Sequence, residues 1–354
     1  MKKSPLHIKA FMIILSTLIL FFLLIYIIEY KPKKVETIHT SKVSDHLPDS
    51  IKILCWNIGY GGLGAKMDFF YDGGTKVRDT KEQTIENLGE IISLIKKENA
   101  DIVLLQEVDK CSKRTYRIDQ LELLRKEFPG YHIYFAYNYN SPFVPKPLKE
   151  PIGKVESGVV IMTKYIPKEV IRYQYPSKFP FPISAFNLKR CLLCAKFSDS
   201  SGKEIVVANT HNTAYDTGNM RQKEIMFLEQ LFKEYSDNNT SFVIGGDWNQ
   251  YPPEYIPDPE ELDTSEFMTI KLDDSNLSKY STIKYHKGEK TLRHLNIPYT
   301  EESVLTVTDY FIHSKNISSS EAKVIPLNFK NSDHNPIKIS ISLINKSENK
   351  SVTT

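Results

Sequence analysis

The chain has 354 residues, 41% hydrophobic and 25% charged, an ordinary globular composition that excludes a disordered or collagen-like protein. Residues 1–50 hold seven Lys/Arg and four Asp/Glu, which accounts for the whole formal charge of +3 and leaves the remainder neutral. Proteins that bind long nucleic acid carry a basic excess, because phosphate neutralisation dominates such binding, so neutrality weighs against a dedicated nuclease.

In chain order, residues 1–9 read as a short cytoplasmic tail. Residues 10–28 (AFMIILSTLILFFLLIYII) run without a charge and at helical rise just span a hydrocarbon core. Lys2, Lys3 and Lys9 ahead of this run would also suit a cleaved secretory signal. The following Glu29-Tyr30-Lys31-Pro32-Lys33-Lys34 has no small-x-small cleavage site, so the segment is read as an uncleaved signal-anchor helix. A single-pass membrane protein with its domain on the extracytoplasmic side follows, although Lys31, Lys33 and Lys34 nearly balance the N-terminal lysines. Residues 29–50 are polar and aperiodic and read as a linker, 51–345 as one domain, and 346–354 as a polar tail.

From residue 51 short apolar runs alternate with helical patterns. Strands are expected over 51–57, 101–106, 131–137, 157–163, 185–197, 204–210, 241–246, 305–313 and 335–343. An amphipathic helix is expected over 79–99, with Ile85, Leu88, Ile92 and Ile95 on its buried stripe, and another near 219–235 with Ile225, Leu228, Leu231 and Tyr235. The surplus of strands favours an α/β chain of two stacked, mixed sheets with helices outside. Segments 60–78, 138–155 and 251–280 read as long loops. Cys191 and Cys194 form a C-x-x-C inside an expected strand, where i and i+3 point to opposite faces, so buried free thiols are expected rather than a metal or redox pair.

Candidate chemistry gathers at strand ends. Asn57 follows Ile53-Leu54-Cys55-Trp56; Gln106-Glu107 follows Ile102 to Leu105; Asn209-Thr210-His211 follows Val206 to Ala208; Asp247-Trp248-Asn249 follows Phe242 to Gly246; Asp309 ends 304–308; and Ser332-Asp333-His334 precedes the last strand. A carboxylate beside a core strand is unfavourable unless paired or metal-bound. Carboxylates and amides without a glycine-rich loop suit a hard cation that helps to hold a phosphate. Asp247 and Asn249, two apart, share a face if extended, and a histidine such as His211 or His334 could pair with Asp309. Taken singly, Asn57, Asp247, Asp333 and His211 each have an ordinary turn or structural explanation; their joint placement carries the functional reading. Asp68 to Gly74 lacks the spacing of a calcium loop and reads as a surface or substrate loop. The aromatics Tyr131, Tyr134, Phe135, Tyr137 and Tyr139 are expected in core packing. Lys110, Lys113, Arg114 and Arg117 are expected in a solvated loop, with a phosphate-facing rim as the alternative.

The blocks Trp56-Asn57, Leu105 to Asp109, Asn209-Thr210-His211, Gly245 to Asn249, Thr308-Asp309-Tyr310 and Ser332-Asp333-His334 resemble, in order and over 51–343, the motifs of the endonuclease/exonuclease/phosphatase superfamily. The resemblance implies a deoxyribonuclease I-like four-layer α/β sandwich that hydrolyses phosphoesters by in-line attack of water, assisted by Mg2+, with Mn2+ as the alternative ion. Carried over by position, Glu107 is the main metal ligand, Asn57 supports it and Asp333 stands near the metal. Asp247 handles the water, Asn249 holds the phosphate, His334 pairs with Asp309 and contacts the phosphate, His211 is the general acid, and Arg190 contacts phosphate. The expected substrate is a phospholipid headgroup, a sugar or inositol phosphate, or nucleic acid, acted on by a monomer. The competing reading is an inactive relative that binds lipid headgroups or proteins.

Overall fold

The computed structural model describes residues 5–216, 218–262 and 270–343. Two mixed sheets face each other. One runs in the spatial order Ile317–Ser319, Ile337–Leu343, Ser50–Asn57, Ile102–Asp109, Gly153–Thr163, His132–Val144. The other runs Val35–Thr40, Glu169–Gln174, Cys191–Asp199, Glu204–His211, Ser241–Asp247, Asp309–Ser314, Ser281–Lys284.

Strand alternation divides the core into layers. Ile53, Cys55, Ile102 and Leu104 of the first sheet meet Leu193, Val207, Val243 and Phe311 of the second in the central core. Their neighbours point outward: Leu54, Trp56, Val103 and Leu105 pack under the Lys81–Glu98 and Gln120–Glu127 helices. Leu192, Val206, Phe242 and Ile244 pack under the Met220–Asp237 helix. Successive side chains on a strand face opposite ways, so both faces of each sheet must be apolar once helices cover them. The result is the expected four-layer sandwich.

The parallel pairs Ser50–Asn57 with Ile102–Asp109, and Glu204–His211 with Ser241–Asp247, bring their C-terminal ends to one edge. Asp309 starts its strand antiparallel to Ser241–Asp247 and sits opposite Asp247. The six motif blocks therefore meet at one rim because of strand direction and register.

Several expectations shift. The N-terminal apolar helix begins at Pro5 and ends at Ile28, so residues 5–9 of the expected tail are helical. Within the 29–50 linker, Val35–Thr40 pairs antiparallel with Glu169–Gln174, and His46–Leu47 pairs with Cys191–Asp199. That edge strand lacks an apolar alternation because one side of it is solvent. Residues 185–197 are strand only from Cys191, and His132–Val144 extends into the expected 138–155 loop. Ile85 is 52% exposed, and Ile91 takes its place on the buried stripe with Leu88, Ile92 and Ile95. Cys191 lies in the central core and Cys194 under the outer helix, both as free thiols. Of the five aromatics, Tyr134 packs against the central core, Tyr131 and Phe135 under the outer helices, and Tyr139 in a side cluster. The 346–354 tail lies outside the described residues.

Candidate active site

Local backbone geometry aims the key side chains. The pairing of Ile102–Asp109 with Gly153–Thr163 slips between Leu105 and Val108, and Glu107 within this bulge has φ 57°. A bulge bends its strand and re-aims a side chain, and a non-glycine residue in the left-handed region persists only where its surroundings hold it. Asn249 has φ 51°, with its backbone N–H donating to Asp247 Oδ1 at 3.0 Å and its Nδ2 donating to the Asn212 carbonyl at 2.9 Å. Gly246 is required one residue before Asp247, because a Cβ there would lie 2.1 Å from the Thr210 carbonyl oxygen. Beneath the site Gln106 Nε2 donates to Asn209 Oδ1 at 2.6 Å, and Asn209 Nδ2 donates to the Leu105 and Val160 carbonyls, which bolts the sheets together.

Asp247 Oδ2 is the hub. It lies 3.1 Å from Asn57 Nδ2, 3.3 Å from His211 Nε2 and 3.6 Å from His334 Nε2. His334 Nδ1 is 2.7 Å from Asp309 Oδ2, which fixes the ring. The Ser332 hydroxyl donates to the Asn57 carbonyl at 2.8 Å, and Trp56 Nε1 donates to the His334 carbonyl at 2.8 Å, so the last motif is locked to the first. Glu107 Oε1 is 3.4 Å from Asn57 Nδ2 and 3.9 Å from His211 Nε2.

The charges of this cluster oppose one another. Burial raises Asp247 to about 6, relieved by His334 and aggravated by Asp309. Burial likewise raises Asp333 to about 7, with His334 relieving and Glu107 aggravating it. Burial alone would lower His334, but Asp309, Asp247 and Asp333 outweigh it and hold the ring well above the ordinary histidine value. His211 goes the other way: burial, then the fields of Arg190, His334 and Arg114, push it well below that value. Its Nε2, 3.3 Å from Asp247 Oδ2, can also partner that carboxylate.

Buried carboxyls such as Asp247 and Asp333, whose pKa neighbouring acids help to raise, are chemically suited to a divalent cation. Glu107 and Asp333, close enough for the charge of the first to raise the pKa of the second, could hold one. Asn57 Oδ1 lies 3.0 Å from the Gly59 backbone N, and its Nδ2 lies 3.1 Å from Asp247 Oδ2 and 3.4 Å from Glu107 Oε1, so its amide stands among the acids. Asp247, Asp309 and His334 also offer ligand atoms within 4.8 Å of one another. His334 Nδ1 and Asp309 are already bound to each other, so that trio is better occupied with protons than with an ion.

Arg190 lies buried, with no hydrogen-bond partner for Nη1 among the described residues, and burial lowers its pKa against the pull of Glu224, Glu107 and Asp247. A buried guanidinium with an unsatisfied N–H group, in the field of nearby carboxylates, is suited to a phosphate. Arg114, expected in a solvated loop or at a rim, is instead buried in a two-pronged ion pair with Asp109, at 2.9 and 3.0 Å, under the Tyr60 ring.

Some participants escaped the sequence reading. Tyr215 Oη donates to Asp72 Oδ1 at 2.8 Å and joins two loops across the mouth, and burial together with Glu107 raises Asp72 to about 6, with Tyr215 opposing. Asp72 sits in the Asp68–Gly74 segment, whose reading as a surface or substrate loop left no single residue marked. Arg293 Nη2 donates to the Gly64 and Met67 carbonyls at 2.8 and 2.9 Å and shapes the 60–67 loop. Nothing around Arg293 in the sequence marks that role.

With this geometry in place, a model of the Endonuclease/Exonuclease/phosphatase family matches residues 54–334. An endonuclease/exonuclease/phosphatase from Beutenbergia cavernae is similar in fold, with TM-score 0.54, 16% identity and coverage of 83% of this chain and 72% of that one. So are D. rerio TDP2 complexed with single strand DNA product (TM-score 0.52, 13% identity, 83% and 99% covered) and the human Nocturnin catalytic domain with bound sulfate anion (TM-score 0.51, 16% identity, 85% and 97% covered). No curated protein matches the chain in sequence.

Proposed function

The chain belongs to the Endonuclease/Exonuclease/phosphatase family, and from that premise we propose that it is a Mg2+-dependent phosphoester hydrolase tethered by its N-terminal helix. The observation that carries this reading is the convergence of Asn57, Glu107, His211, Asp309 and His334 around Asp247, from strands of both sheets. An ion held by Glu107 and Asp333 would supply positive charge to the phosphoryl oxygens.

The residues of the chain supply the rest. Asp247, ionised above about pH 6, accepts the proton of the attacking water. His211, Asn57 and the Asn249 backbone N–H hold that carboxylate in place. His334, kept cationic by Asp309, donates to a phosphoryl oxygen as charge accumulates there. The Arg190 guanidinium and the second Nδ2 hydrogen of Asn249 bind the phosphate. The water oxygen bonds to phosphorus as one ester P–O bond breaks; the departing alkoxide takes up a proton from solvent and Asp247 later returns its proton there, which yields a phosphate product and an alcohol.

The helix Leu6–Ile28 has mean hydropathy 3.0 and is long enough to cross a bilayer, a property that a signal sequence would share. The absence of a cleavage site after Ile28 supports an uncleaved anchor. The test is turnover of a phosphodiester and phosphomonoester panel by the full chain with Mg2+ or with chelator. Asp247→Ala and His334→Ala each lower kcat/KM by about 10³-fold with an unchanged circular dichroism spectrum. Full activity in either variant would sink the mechanism.

A further inference from the structure

The anchor helix touches the domain beside the active site. Phe181 lies with its ring centroid 6.2 Å from Phe22 and 6.3 Å from Tyr26, and Ile25 is buried against the domain. Directly after the helix Glu29 pairs with the buried Lys189 at 2.7 Å, which fixes the exit of the chain. The loop that receives the helix is Phe179-Pro180-Phe181-Pro182-Ile183, in which Phe181 is 45% and Ile183 51% exposed.

Depth follows from helix geometry. Phe22 lies six residues before Ile28, about 9 Å along the axis at 1.5 Å per residue, and Tyr26 lies about 3 Å before it. If Ile28 marks the edge of the hydrocarbon, a ring in contact with both Phe22 and Tyr26 is below that edge. The exposed Lys31, Lys33 and Lys34 then fall at the level of the headgroups. Lys178 and Phe179 also line one depression with Arg190, Thr213 and Tyr215, so the loop continues into the wall of the catalytic site.

We propose that the Phe179–Ile183 loop is a wedge inserted in the bilayer beside the anchor, and that the substrate is the phosphoester of a lipid headgroup presented at that surface. The exposed Phe181 and Ile183 gain a partner, and Arg190 lies between the wedge and the acids, where a headgroup phosphate arrives. The inference rests on the phosphoesterase reading and on an uncleaved anchor.

The experiment uses the full chain in phosphatidylcholine vesicles that contain sphingomyelin and phosphatidylinositol. In the first arm Phe181→Trp is compared in plain vesicles and in vesicles with brominated acyl chains. Trp56 and Trp248 are buried and form a steady background, and emission from the indole introduced by Phe181→Trp is expected to fall at least twofold. In the second arm Phe181→Asp with Ile183→Asp is expected to lower release of headgroup from the vesicles at least tenfold, while turnover of bis(p-nitrophenyl) phosphate stays within twofold. An introduced indole that stays unquenched, equal loss on both substrates, or undiminished vesicle hydrolysis would overturn the proposal. If wild type cleaves the soluble diester and no vesicle lipid, the lipid substrate falls and the phosphoesterase reading stands. If it cleaves neither, the hydrolase reading and the lipid substrate fall together, while quenching still decides insertion. A chain that fails to float with the vesicles removes both anchor and wedge.

Discussion

Lowering the pH should release the metal through Asp333. Its carboxyl is raised to about 7 by burial and by Glu107, yet a hard cation takes the ionised form. Between pH 8 and pH 5.5 the ionised fraction of such a group falls about 30-fold, so apparent Mg2+ affinity should weaken about 30-fold, or about 2 kcal/mol. The sign in the metal-free protein is the reverse. A carboxyl raised on folding binds more protons folded than unfolded between about pH 4 and 7, so Asp333 makes the metal-free fold less stable as pH rises through that window. Raised His334 acts in the same direction, and lowered His211 opposes both below its ordinary value. The difference between Mg2+ and chelator cancels groups that the ion leaves unchanged. Thermal denaturation of the full chain should therefore show a Mg2+-induced rise in Tm larger at pH 8 than at pH 5.5 by about 4 °C. Calorimetric titration with MgCl2 gives the affinity directly, and Asp333→Asn should flatten its pH dependence. An affinity that changes less than threefold, or tightens in acid, would refute the assignment of Asp333 and the charge argument with it.

Asp309→Asn removes the first of the acids that hold His334 protonated, so kcat should fall about 100-fold, and more at pH 8 than at pH 6; a pH-rate profile that drops uniformly would contradict this. Glu224→Leu strips the acceptor from the Ser177 hydroxyl and from both the N–H and hydroxyl of Thr213, buried donors worth about 3 kcal/mol together, and should lower Tm. Gly246→Ala forces a Cβ against the Thr210 carbonyl and should yield little folded protein. Gly89→Ala, in a helix with nothing within 4 Å of the new carbon, should raise stability by up to about 1 kcal/mol in urea denaturation.

The rim of the site was legible because strand ends are marked twice, by an apolar run and by the polar residue that stops it. Ile102 to Leu105 followed by Glu107, and Phe242 to Ile244 followed by Asp247, are such pairs. What local pattern does not encode is partner choice. Val35–Thr40 reads as linker because its pairing with Glu169–Gln174 depends on a strand more than 120 residues away. Ile85 fits the helical period, yet the helix turns Ile91 inward in its place. The downward pull on the His211 pKa was equally hidden, since it comes first from burial and then from Arg190, His334 and Arg114 in three other segments.

The balance of charge in the site argues for a cation and an anion together. Glu107, Asp247, Asp309, Asp333 and Asp72 share the site with His334, whose pKa Asp309, Asp247 and Asp333 raise, and with the Arg190 and Arg293 guanidinium groups. The acids alone would be relieved by an ion bound at Glu107 and Asp333, but that ion would worsen the position of Arg190, whose Nη1 has no acceptor among the described residues. A phosphate beside Arg190 would ease both strains, because it would bring acceptor oxygens to the guanidinium and negative charge toward an ion held by Glu107 and Asp333. Metal and phosphate should then bind with positive coupling, each tightening the other, and a site built only to bind protein surfaces has no reason to store these two opposite strains side by side.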